Sequence, residues 1–105
     1  MRVLKAIIVE NDIEIIKQFK KFETENSVLF SIIEIVQNTN NITDLVNNHN
    51  PDILIASLDE INFDENTLSN LNVQKPKLVI ISKDKDFAFD AYKQNAIDFL
   101  IKPIS

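Results

Sequence analysis

Apolar residues in this chain fall into five short runs set between polar stretches, and the runs alternate with segments of helical spacing. Leu4 to Val9 is an apolar run bounded by charge, the pattern of a buried strand covered on both faces. Asp12 is placed to cap a following helix, in which the spacing of Ile13, Ile16 and Phe19 makes an apolar stripe with Phe22 beside it and charge opposite, as at Lys20 and Glu23. Phe30 to Val36 predicts a second strand, and Thr39 or Asn40 starts a helix carrying Ile42, Leu45 and Val46. That helix stops at Asn50-Pro51, because the residue before a proline disfavours the helical region. Ile53–Ala56, Leu78–Ile81 and Ala96–Ile101 are the third, fourth and fifth runs, and Phe87, Ala88, Ala91 and Tyr92 give a helical face between the last two. Strands interleaved with helices at this period predict an α/β fold with a five-stranded, doubly wound parallel sheet. Right-handed crossovers bring the carboxyl ends of the strands to one edge, which gathers Glu10, Asn11, Asp12, Ser57, Ser82 and Lys102.

A length of 105 residues suits one compact domain spanning residues 1–105. The hydrophobic fraction of 45% argues against disorder, and the net charge of −5 argues against nucleic-acid contact by this domain itself. There are no cysteines, so neither a disulfide framework nor a thiolate metal site is available. The amino-terminal apolar run is too short for a signal peptide or a spanning helix, which gives a cytoplasmic expectation with no membrane partner. The chain has no glycine but 13 asparagines, so turns that need positive φ fall to asparagine, with Asn26, Asn50 and Asn95 as candidates.

The motifs of common catalysts are missing. There is no glycine-rich phosphate loop and no zinc spacing, and the single His49 lies at the far end of the strand that ends in Ser57, so no serine–histidine–acid set forms. The expectation is a protein that is not an enzyme. His49 reads as an exposed helix-end residue, and Phe19, Phe22 and Phe30 read as core.

Three segments carry a resemblance: Lys5 to Asp12, Pro51 to Ser57, and Phe87 to Pro103, with Asn95-Ala96-Ile97-Asp98-Phe99-Leu100-Ile101-Lys102-Pro103 the most specific. Over residues 3 to 103 the sequence resembles the receiver domain of two-component response regulators, a CheY-like (flavodoxin-like) fold, and most of all the LytR/AlgR-type transcription regulators. In that family an acidic pair after the first strand holds a divalent metal, an aspartate ending the third strand accepts phosphate, a hydroxyl ends the fourth strand and a lysine the fifth. The resemblance places these roles on Glu10 and Asn11, Ser57, Ser82 and Lys102, and an aromatic that moves on activation at Phe99. A free-standing flavodoxin-like cofactor domain is disfavoured by the missing glycines.

Two of the implied carboxylates are replaced. Ser57 has no charge with which to attack phosphorus, and Asn11 and Ser57 weaken the field that would hold Mg²⁺, leaving Glu10 and Asp12 as the only carboxylates to hold a divalent ion loosely. Their expected role is instead as charges beside Lys102, an ion pair standing where phosphate and metal would be. The segment Leu58 to Asn66 has neither the proline nor the glycine that the resemblance calls for, and Asp64 to Leu71 has room for one or two helical turns. The chain ends at Ser105 without the last helix of the family, which reads as the amino-terminal part of a longer regulator, with homodimerisation as a second way to cover the sheet. The resemblance implies an output surface at Phe87, Ala88, Ala91, Tyr92 and Phe99, facing an effector domain or partner protein. The expected function is a phosphorylation-independent pseudo-receiver. The alternative is a phosphoacceptor receiver of a two-component phosphorelay that uses an unconventional acceptor, with Ser57, Asp59 and Asp52 in view; Asp52 precedes the strand and Asp59 lies two residues past its end.

Overall fold

The computed structural model describes residues 3–57, 71, 73–87 and 96–102. In chain order these form β1 (Leu4–Val9), α1 (Ile13–Glu25), β2 (Phe30–Val36), α2 (Ile42–His49), β3 (Ile53–Ser57), β4 (Lys77–Ser82), a 3-10 turn at Lys85–Phe87 and β5 (Asp98–Ile101). All strand pairs are parallel and the sheet order is β2-β1-β3-β4-β5, a doubly wound α/β sheet. Chain connections on both faces explain the continuous apolar strands. Along β1 the alternation sends Ile7 and Val9 to one side, where Ile42 and Val46 of α2 pack, and Ala6 and Ile8 to the other, against Ile15 and Phe19 of α1. Among the described residues no helix is long and apolar enough to cross a membrane.

Helix α1 starts where expected, with Asp12 in an extended conformation accepting the Glu14 N–H through its side chain at 3.0 Å. Its buried face is different from the predicted stripe. Ile15 and Phe19 are buried, whereas Ile13 is exposed, and so is Phe22. At 3.6 residues per turn, position 13 lies about 120° around the helix from Phe19, while position 15 lies only about 40° away. Phe22 instead sets its ring edge-on to the buried Phe30, with centroids 5.3 Å apart.

Helix α2 begins at Ile42, later than Thr39 or Asn40. The Asn38 side chain accepts the Asn40 N–H and the Thr39 carbonyl accepts the Ile42 N–H, so these residues build a turn in front of the helix. Its end is as expected: Asn50 takes φ 49, and its N–H reaches the Val46 carbonyl at 2.8 Å. Asn50 is the only positive-φ residue among those described; Asn26 has φ −130, and Asn95 lies outside them. Strand β5 starts at Asp98 rather than Ala96, and the Ile97 N–H on its approach bonds the Leu78 carbonyl at 2.7 Å. Leu58 to Asn66 and Pro103 also lie outside the described residues, which extend only one residue, Lys102, beyond β5.

Candidate functional site

Strands β1, β3, β4 and β5 end at one edge of the sheet, and their last residues deliver Glu10, Ser57, Ser82 and Lys102 to a common position. Backbone bonds fix the outermost two: the Glu10 N–H donates to the Val36 carbonyl at 2.9 Å, and the Lys102 N–H to the Ser82 carbonyl at 2.9 Å. All four residues are buried, Glu10 and Ser82 completely.

Lys102 Nζ lies 2.8 Å from Glu10 Oε2 and donates a hydrogen bond to Ser57 Oγ at 3.0 Å. The approach to Oε2 is an ion pair rather than an aligned hydrogen bond. The other carboxylate oxygen, Oε1, accepts the N–H groups of Asn11 at 3.0 Å and Asp12 at 3.1 Å. One carboxylate thus binds the turn after β1 through one oxygen and the end of β5 through the other. Burial raises the Coulombic attraction between such charges and at the same time makes each costly to leave alone.

Asp12 does not join this pair. Its Oδ1 is spent on the α1 cap and its Oδ2 faces Lys83 Nζ at 3.7 Å, so of the two acidic residues expected beside Lys102 only Glu10 is there. The reason is local: the N-cap geometry of Asp12 directs its side chain back over the first turn of the helix. Ser82 Oγ accepts the Asp84 N–H at 3.0 Å, and Asp84 Oδ1 accepts the Asp86 N–H at 2.8 Å, which turns the chain away after β4. Phe99 is half-buried and packs against the α2-side core. The side chain of Phe87, and Ala88, Ala91, Tyr92 and Asp59 altogether, lie outside the described residues.

Among the described residues the oxygen set does not suit Mg²⁺, which requires several hard ligands in near-octahedral array. Glu10 holds two N–H groups with one oxygen and an ammonium with the other, Asp12 faces away, and the ammonium of Lys102 stands where a second positive charge would be repelled. Sequence reasoning missed the Asp12–Lys83 pair; Lys83 immediately follows the strand-ending Ser82 and so leaves the sheet at the same edge as the start of α1, with β3 between the two strands.

No family model matches the chain, and no curated protein does. Solved structures do match. The response regulatory domain of protein mrkE from Klebsiella pneumoniae is 20% identical with a TM-score of 0.72, the match covering 97% of this chain and 85% of that one. A CheY-like response regulator receiver domain from Methylobacillus flagellatus is 20% identical with a TM-score of 0.75, covering 99% and 90%. The fold is that of a response-regulator receiver domain. The receiver fold recurs in the N-terminal domain of the nisin resistance regulator NsrR, 22% identical with a TM-score of 0.73 and coverage of 99% and 89%. At these identities the likeness is one of architecture, and in this receiver fold the strand-end cluster is filled by an internal ion pair.

Proposed function

We propose that the chain is a pseudo-receiver: a signalling and interaction module that works without phosphorylation, as part of a LytR/AlgR-type cytoplasmic regulator. It acts on an attached effector or a partner protein, with a homodimer as one form of that contact, and it does not itself touch nucleic acid or catalyse a reaction. The observation that carries this reading is the buried contact of Lys102 Nζ with Glu10 Oε2 at 2.8 Å and with Ser57 Oγ at 3.0 Å. A phosphorylated receiver needs its lysine for the incoming phosphoryl oxygens and a carboxylate to accept phosphorus. Here the lysine already has an anionic partner, and the residue at the acceptor position is a hydroxyl, which carries no charge with which to attack phosphorus. The strand-end cluster is held in one arrangement by the protein's own charges.

Intact-mass measurement after incubation with acetyl phosphate and Mg²⁺ tests this directly. The expected result is an unchanged mass. A gain of one phosphate that disappears on Ser57→Ala or Asp59→Asn would replace the proposal with a phosphoacceptor receiver using an unconventional residue.

A further inference from the structure

At the opposite end of the sheet, the approaches to β1, β3, β4 and β5 enclose a groove of about 880 Å³. Its walls are tied by backbone bonds. Asp52 Oδ2 accepts the Lys5 N–H at 2.8 Å, the Asp52 N–H donates to the Lys5 carbonyl at 2.8 Å, and the Lys77 N–H donates to the Asp52 carbonyl at 2.9 Å. The left-handed turn at Asn50 and the buried Pro51 and Pro76 stiffen the same walls. Such a surface is organised before anything binds, which lowers the ordering cost of binding.

The groove is amphipathic. Leu4, Pro51, Ile53, Pro76 and Ile97 supply apolar surface, and Leu4 and Ile97 expose theirs to water. Lys5, Lys75 and Lys77 line it as well, against the single carboxylate of Asp52 among the described lining residues. This is a basic surface on a chain whose net charge is −5. Lys75 and Lys77 are exposed and form no ion pair with any described residue, while Lys5 Nζ reaches the His49 carbonyl at 3.4 Å. Lysines that outnumber the described lining carboxylates three to one, set among apolar side chains, complement a ligand that carries carboxylates and an apolar side chain together. The groove runs across four strand starts, three inter-strand spacings or roughly 14 Å, which is the reach of about four extended residues.

We propose that this groove is a docking site for an extended, acidic peptide segment with an apolar anchor, presented by a partner protein. The site goes beyond the pseudo-receiver reading and does not depend on it. It lies at the Ile53 end of β3 and the Glu10–Lys102 cluster at the Ser57 end, so peptide binding and phosphate incorporation are measured independently.

The test is fluorescence anisotropy of a labelled hexapeptide alternating glutamate and leucine, titrated with the full 105-residue chain at low ionic strength. Saturable binding is expected, weakened about tenfold or more by K75E/K77E and progressively by added salt. Amide NMR shifts are expected at Lys5, Lys77 and Ile97 and not at Glu10 or Lys102. Both substituted lysines are exposed, so circular dichroism of the variant should match the parent. No binding at millimolar peptide, equal binding of a lysine–leucine hexapeptide, or binding indifferent to K75E/K77E would overturn the proposal.

Discussion

Glu10 holds two parts of the molecule with two oxygens, and its replacement separates their contributions. Glu10→Gln keeps an acceptor for the Asn11 and Asp12 N–H groups but removes the counter-charge of Lys102, whose side chain is 3% exposed. Stranding a buried charge in this way costs about 3–5 kcal/mol, so urea unfolding should show a loss of that size. Adding Lys102→Met removes the stranded ammonium, and the double variant should recover much of the loss. A double variant no more stable than Glu10→Gln alone would mean that the ion pair is not what holds the strand ends. At this scale the sequence was partly legible. That Lys102 meets Ser57 follows from parallel strands ending at one edge. Which acidic residue turns toward the lysine does not follow, because Glu10 and Asp12 both lie in the short turn between strand and helix, and it is the cap that takes Asp12.

The element that departs most from its sequence pattern is α1 with its neighbour β2. Both Ile13 and Ile15 fit an amphipathic reading, and only the phase set by Phe19 on the sheet decides between them. Strand β2 is the edge of the sheet, and it carries an irregularity that no sequence pattern announced: the pairing passes from Ala6↔Ile32 to Ile7↔Glu34, leaving Ile33 as an extra residue. The Leu29 carbonyl faces β1, accepting the Leu4 N–H, so Phe30 and Ile32 present their N–H groups to the open edge. Both are taken by α1 and its cap: Phe30 N–H by the Asn26 carbonyl at 3.0 Å and Ile32 N–H by Glu23 Oε2 at 2.6 Å. An open edge strand is a template for pairing with another chain, and a charged side chain laid on it together with a bulge removes that template. Glu23→Ala should therefore raise concentration-dependent self-association in sedimentation velocity. Unchanged sedimentation with faster hydrogen exchange at Ile32 would show that the carboxylate protects only its own N–H.

For the molecule as a whole, five apolar runs of strand length, each followed by a polar stretch, were enough to read the parallel sheet, since a strand covered on both faces needs no alternation. Ends were less legible than existence: β5 begins at Asp98 and α2 at Ile42, each shifted by side-chain and backbone bonds in the approach that apolar content does not encode. The amino-end groove was not legible at all. Lys5 is far in the sequence from Lys75 and Lys77, and meets them only because β1, β3 and β4 are neighbours. The sheet separates an internally neutralised edge from a basic one, and this has a measurable consequence for switching. Beryllofluoride with Mg²⁺, which mimics a phosphoryl group on an aspartate, should leave the amide NMR spectrum unchanged, because Ser57 gives it no carboxylate and Lys102 is engaged. Shifts spreading from Glu10 and Lys102 to β4 and β5 would reveal a second arrangement of the cluster that the ion pair does not prevent.

The left-handed turn at Asn50 also bears on how the molecule ages. Asparagine at a tight turn ordinarily decays when the next residue's amide nitrogen attacks the side chain to close a succinimide, giving aspartate or an isomerised backbone. Asn50 is followed by Pro51, whose nitrogen carries no hydrogen and is already fully substituted. In a chain that has 13 asparagines and no glycine, the position with φ 49 is thereby shielded from that chemistry. The joint between α2 and β3, and with it one wall of the basic groove, is built from the one asparagine step that cannot close the ring.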